Sequence, residues 1–298
     1  MALHARGFSN LGNKSATDPR NQLWKEYLRV VATARPKVFV LENVDRFSKS
    51  EEFQLLIEEA NHGLISKYQL TWGVLLAADF GVAQRRPRTI LIGSCIGEID
   101  LPQPTHSRTG ESGLRQWETV ASRIAGLPVK PETTELPDSR TPYFGHNVPG
   151  RYKNLDIHFG RKPIEKSLSR YDWIPPGGGR FNLPEELLPR CWREKPTGTT
   201  DVMGRMRWDA PSLTIRTEFF KPEKGQYLHP QWEGRGSGNN TNRVITHYEA
   251  SLLQDFPKNF EWCGTKAQIA KQIGNAVPAG LAAAVARHIR PFITSSPV

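Results

Sequence analysis

Two groups of side chains in this sequence could do chemistry. One is Glu42, which closes the apolar run Val38-Phe39-Val40-Leu41 and is followed by Asn43-Val44. The other is a cluster of guanidiniums, Arg85, Arg86 and Arg88, set in four positions with Pro87 among them. In open α/β sheets, ligands bind just beyond the carboxyl ends of strands. A carboxylate there can share a proton with a bound ring or serve as an acid or base. The other reading of Glu42 is an ordinary glutamate on a surface turn. The arginines could form a fork aimed at phosphates or at a carbonyl oxygen. Their other reading is a solvated basic turn, because so dense a charge is not expected in a core. Cys95, Cys191 and Cys263 are far apart and have no metal-ligand spacing. They read as reduced thiols of a cytosolic protein, and no metal site is expected.

The elements that must position these groups follow an α/β order. Asp18-Pro19 reads as a helix start, and Leu23, Trp24, Tyr27, Leu28, Val31 and Ala34 continue at helical spacing, which predicts a helix over 19–34. Residues 38–44 form an unbroken apolar strand, of the kind found in parallel sheets covered on both faces. Ser48 and Glu51 stand at capping-box spacing before a second helix through Phe53, Leu56, Ile57 and Ala60, stopped near Gly63. Strands are expected over 68–76 and 89–93. From about 100 to 205, proline, glycine and charge dominate and periodicity is poor; only 119–127 suggests a short helix. Patterning returns with a strand candidate at 211–216. A helix follows over 246–254, with Thr246 and Glu249 as a capping box, and then an Ala-rich helix over 279–290.

Composition narrows the classes. The 298 residues carry a net charge of +10, which suits a polyanion partner such as nucleic acid. The 23 prolines and 25 glycines imply many loops. No apolar run approaches the roughly 20 residues of a membrane span. The first residues, Met-Ala-Leu-His-Ala-Arg, contain no hydrophobic signal region.

Taken together, the ordered segments resemble the DNA (cytosine-5)-methyltransferase family. They are Gly7-Phe8-Ser9, Asp18-Pro19-Arg20-Asn21, Glu42-Asn43-Val44, Gly81–Arg88, Pro211–Arg216, Arg243–Pro257 and Gly274–Pro278. The resemblance implies an α/β, Rossmann-like methyltransferase sheet, incomplete here, made by residues 1–99 and 206–298. A smaller loop-rich target-recognition lobe would occupy 100–205. It implies S-adenosylmethionine as cofactor, duplex DNA as partner and a bacterial cytoplasmic or nucleoid location, in the setting of restriction–modification. By resemblance, Glu42 would bind N3 and the exocyclic amine of a flipped cytosine, and Arg88 its O2. Arg86 would clamp the flipped nucleotide's phosphate. Gln84 would support the displaced strand, with Arg85 beside it in the DNA-binding set, and Arg216 would brace the recognition lobe. Asn275 and Val277 would line the cofactor pocket.

The family pattern also has a Phe-x-Gly-x-Gly cofactor turn, an acidic residue for the ribose and a Pro-Cys nucleophile, none of which occurs in this sequence. Ala5 stands where the cysteine is expected, just before Gly7-Phe8-Ser9. Covalent catalysis by this chain alone is therefore not expected. The missing strands would leave 38–44 as an exposed apolar edge, so a poorly stable chain or a partner is anticipated. Three accounts fit: a truncated chain, the second subunit of a split enzyme whose other chain gives the amino-terminal half, or a degenerate copy. The rival class is a catalytically inactive DNA-binding or regulatory protein.

Overall fold

The computed structural model describes residues 23–194, 197 and 199–295. The start of the expected first helix, the segments at 7–9 and 18–21, and Ala5 lie outside the described residues.

In chain order, helix α1 (Leu23–Ala34) leads into strand β1 (Val38–Val44), and helix α2 (Glu51–His62) into β2 (Gln69–Leu76). A turn and the short β3 (Gln84–Arg85) precede β4 (Pro87–Ser94). The three long strands form one sheet in the order β1–β4–β2. Both outer strands pair antiparallel to β4, with Glu42 opposite Ile90 and Gly73 opposite the same residue. The parallel sheet expected for an apolar strand is thus corrected: both of its strand pairs are antiparallel. For β2 and β4 the connection explains it. Only ten residues separate β2 from β4, and a parallel return needs a crossover of a dozen or more.

The sheet has helices on both faces. Phe39, Leu41 and Leu91 pack with Trp24, Leu28, Phe53 and Leu56 of α1 and α2. Val38, Val40, Ile90 and Ile92 pack against Val285 and Ile289 of the C-terminal helix Ala279–Ser295. Side chains alternate across a strand, so Glu42 and Arg88 share the second face. Helix α2 is capped by Ser50, whose Oγ accepts from the Phe53 amide at 3.2 Å. Ser48, the cap expected from the sequence, lies in a 3-10 turn over Asp45–Lys49 and donates to the Asp45 carbonyl instead.

The remaining chain contains β5 (His106–Ser107), β6 (Arg115–Gln116), α3 (Val120–Ile124), β7 (Arg140–Tyr143) and β8 (His146–Tyr152). Then come α4 (Glu165–Asp172), α5 (Arg190–Glu194), β9 (Gly204–Arg205), β10 (Ser212–Leu213) and β11 (Gln226–Leu228). Helix α6 (His247–Leu253), β12 (Trp262–Cys263), α7 (Lys266–Asn275) and α8 (Ala279–Ser295) complete it. A second core joins Val120, Tyr152, Ile174 and Met203 with Ile215, Tyr227, Leu253, Trp262 and Ile273. That core runs straight across residue 205. Thr246 and Glu249 form the capping box expected for α6. Among the described residues, no helix is long and apolar enough to cross a membrane.

Candidate active site

β1 delivers Glu42 and β4 delivers Arg88 to one face of the sheet. In the antiparallel register Val44 lies opposite Arg88 and Glu42 opposite Ile90, so the two side chains are diagonal neighbours. Arg88 Nε lies 2.8 Å from Glu42 Oε1, and the side chains are only 10% and 12% exposed. Arg88 Nη1 also donates to the Pro87 carbonyl at 2.7 Å. Burial draws the Arg88 pKa down, while the charges of Glu42 and Asp45 oppose the shift. The pair therefore sits at the boundary of core and solvent. A carboxylate and a guanidinium stand side by side there, able to meet a planar polar ring.

The rest of the arginine cluster divides by strand alternation. Arg85 points out and is exposed, whereas Gln84 and Arg86 are buried at 0% and 2% exposure. The expectation that no part of this cluster is core is corrected here. Arg86 is held because carbonyls converge on it. Its Nη1 donates to the Ile215 carbonyl at 2.8 Å, and its Nη2 to those of Gly274 at 2.7 Å and Ala276 at 3.2 Å. Burial pulls its pKa well below the ordinary value, the Arg88 charge adds to that, and Glu42 opposes it. Gln84 Nε2 donates to the Leu253 carbonyl at 3.2 Å and to Gln254 Oε1 at 2.5 Å, and its Oε1 accepts from the Ile215 amide at 2.9 Å. These two side chains tie β3 and β4 to α6 and α7. Of their polar atoms, Arg86 Nε is buried without a partner.

Gly81 makes the turn that aims this segment. Its φ of +80° is left-handed, where glycine carries no steric penalty. Gly274 serves a close approach: a Cβ there would meet the Thr217 amide nitrogen at 2.4 Å. Arg216 lies beside it. Its Nη2 pairs with Asp201 Oδ2 at 2.8 Å, and its Nη1 donates to the Lys224 carbonyl at 2.6 Å. Asn275, the last residue of α7, is exposed, and Val277 is half-buried. The backbone between them is fixed by Arg86 and by Gln254, whose Nε2 donates to the Ala276 carbonyl.

Sequence reading missed two polar anchors, one buried and one half-buried. Arg205, with no exposed surface, donates to the carbonyls of Ile174, His229, Thr241 and Tyr171 and to Asn242 Oδ1. Arg243 grips Glu249 through both terminal nitrogens at 2.7 Å. An arginine reads as solvated unless its partners are known, and those of Arg205 come from segments 24 to 37 residues away.

A family model described as C-5 cytosine-specific DNA methylase matches residues 6–290. The chain belongs to that family. The family uses S-adenosylmethionine as methyl donor. The chain is 28% identical to the type II methylase M.HgiDII of Herpetosiphon aurantiacus over 96% of its own length and 73% of that protein. It is 30% identical to the type II methyltransferase M1.HphI of Haemophilus parahaemolyticus, covering 97% of this chain and 67% of the relative. In fold it resembles a prophage-encoded Escherichia coli protein described as a DNA modification methyltransferase. That match has a TM-score of 0.64 and 19% identity, over 93% of this chain and 76% of that one. The Entamoeba histolytica methyltransferase EhMeth follows with a TM-score of 0.57 and 14% identity, over 98% and 76%. These two likenesses are of fold.

Proposed function

We propose that this chain holds the target cytosine of a DNA (cytosine-5)-methyltransferase, with Glu42 and Arg88 as the groups that meet the ring. The observation that carries this reading is their diagonal pairing, 2.8 Å apart and about nine-tenths buried, on one face of a family sheet. The target base leaves the duplex at a cost of a few kcal/mol. Attack of a nucleophile at carbon 6 builds electron density on N3 and O2 of the ring. Glu42 shares a proton with N3 and accepts from the exocyclic amine, while Arg88 donates to O2. S-adenosylmethionine supplies an electrophilic methyl group when bound, and Asn275 and Val277 would form one wall of its site. Carbon 5 then loses its proton and the nucleophile leaves.

The nucleophile comes from outside the described residues. Cys95 follows the last residue of β4, seven positions from Arg88, roughly 23 Å at ~3.3 Å per residue. Cys191 lies on α5, and Cys263 on β12, which pairs with β8. A thiolate from an amino-terminal portion, either on the same polypeptide or on a second chain, would complete the site. We assign duplex DNA to the exposed Arg85 and to the 100–205 segment. Arg216, through Asp201, braces that segment, and its core is shared with 206–275. Gln84 and Arg86 act here as positioning residues that lock β3 and β4 onto α6 and α7. A bacterial cytoplasmic setting is proposed by analogy with the bacterial type II relatives.

The test is transfer of labelled methyl groups to duplex DNA by this chain, with and without a co-expressed amino-terminal portion carrying a Pro-Cys. Transfer that needs both portions, and that Glu42→Gln abolishes, supports the reading. DNA binding with no transfer in either case would make the chain a DNA-binding remnant or regulator.

A further inference from the structure

A concavity lies away from the Glu42–Arg88 pair. It encloses about 440 Å³ between the 134–135 loop, the 159–162 segment, Phe220, and the starts of α6 and α7. That volume falls within the ~300–1,000 Å³ typical of small-ligand sites. Its floor is aromatic. The Phe159 and His247 rings are 4.5 Å apart, and Phe220 lies nearly parallel to His247 at 6.0 Å and 13°. Its rim is cationic. The Arg161 guanidinium stands 5.6 Å from the Phe220 ring centre, and Lys266 Nζ stands 5.1 Å from that of Phe159. Lys162 is exposed beside them.

The acidic side chain in the lining, Glu135, is already paired with Lys266 at 2.6 Å. Arg161 and Lys162 therefore leave a surplus of positive charge. His247 adds none at neutral pH, because burial lowers its pKa to about 4. Its Nε2 lies 2.9 Å from the Lys266 carbonyl, which fixes the ring as part of the wall. Lys266 opens α7 and Ala276 follows its last residue, so the cavity lies roughly 15 Å along that helix from the carbonyl that Arg86 holds, at ~1.5 Å per residue.

We propose that this cavity binds a single nucleotide unit, with its base against Phe159 and Phe220 and its phosphate at Arg161 and Lys162. Rings without cations would suit any apolar group, and cations without rings would suit any anion. The two together match a flat base joined to a phosphate. The unit could be an unstacked nucleotide of a bound DNA strand or a free nucleotide. Only the first source rests on the methyltransferase reading.

The test uses the full chain. Thymidine 5′-monophosphate is titrated calorimetrically. Two fluorescein-labelled duplexes, one fully paired and one with a single unpaired thymidine, are followed by anisotropy. Stacking is worth ~1–3 kcal/mol per base, or roughly 5- to 150-fold in affinity. Phe220→Leu and Arg161→Gln should each weaken thymidine monophosphate binding at least about 5-fold, whereas Arg287→Gln on exposed α8 should change it less than about 2-fold. Preference for the unpaired duplex, erased by both variants, identifies the DNA strand as the source. Saturable monophosphate binding without that preference identifies a free nucleotide. Arg161 is exposed, so its variant tests the site even if Phe220→Leu fails to fold. The inference falls if Arg161→Gln leaves both monophosphate binding and duplex preference unchanged, or if the wild type shows neither. That result would leave the methyl-transfer reading untouched, since the calorimetric arm needs no methyl donor.

Discussion

Replacing Arg86 by methionine separates two roles that its sequence motif cannot. The side chain is 2% exposed, and its terminal nitrogens donate to three carbonyls on segments 129 to 190 residues away. Methionine fills most of the volume but donates nothing. A buried acceptor left unpaired costs about 1–3 kcal/mol, which would sum to ~2–6 kcal/mol over the Ile215 and Gly274 carbonyls, since the Ala276 carbonyl keeps its bond from Gln254. Removing the guanidinium also relieves its own desolvation, and part of the cost returns. Net destabilisation of about 2–4 kcal/mol is therefore expected. Urea titration followed by tryptophan fluorescence should show the transition midpoint falling sharply. Arg86→Lys should lie between, since an ammonium lacks the planar fork that reaches separate carbonyls. A phosphate clamp behaves differently: its loss would reduce the slope of log affinity against log salt by ~0.9 for duplex DNA. The structure predicts an unchanged slope for the folded protein. A stable Arg86→Met protein with a slope reduced by about one phosphate would refute the buried-tie argument.

Other outcomes follow from the same geometry. Glu42→Gln keeps an acceptor near Arg88 but cannot share a proton, so methyl transfer by the completed enzyme should fall ~10²–10⁴-fold, measured by label incorporation at saturating DNA. Gly274→Ala would drive a Cβ to within 2.4–2.6 Å of backbone atoms of Arg216 and Thr217; loss of soluble protein on expression is expected, and a wild-type yield and melting temperature would contradict it. Burial holds both His229 and His247 near pKa 4, below the unfolded value of about 6.5. Unfolding therefore takes up protons between these limits. Stability is fully present above pH 6.5 and is lost as pH falls towards 4, by up to ~1.4 kcal/mol per pH unit for each histidine. Denaturant titrations at pH 5 and 7 measure this, and His247→Gln should remove about one of the protons taken up at pH 5.

The elements that carry Glu42 were legible because their signals are local. The apolar run 38–44 is β1 residue for residue, and Thr246 with Glu249 makes the capping box read from spacing alone. Helix α7 was also within reach. Thr265 and Gln268 form a capping box, and Ile269 and Ile273 are buried four residues apart, a local helix signal that was not read from the sequence. The burial of Arg86 was harder to see. Alternation places Gln84, Arg86 and Arg88 on one side of the strand and Arg85 on the other, but a charged residue is core only when partners converge on it. Those partners, at 215, 274 and 276, are set by tertiary packing. Ser48 misled for a related reason: a 3-10 turn takes up two residues before α2 begins, and the cap passes to Ser50.

The open side of β1 gives a last test, and it bears on what completes the site. β4 occupies one edge of β1, and among the described residues no strand occupies the other. In a paired strand, amide groups alternate between the two edges. About half of the β1 amides therefore face β4 and should exchange slowly with solvent deuterium. The remainder face outward and should exchange quickly unless something covers them. Supplying the amino-terminal portion that carries the nucleophile should slow that second set without altering the first, because a strand added there pairs only with outward groups. Such alternate protection would show that the added portion extends this sheet beside Glu42, where a thiolate could reach the ring that Glu42 and Arg88 hold. If the outward amides of 38–44 are already protected in the chain alone, the edge is covered by the chain itself, and the need for a further strand disappears.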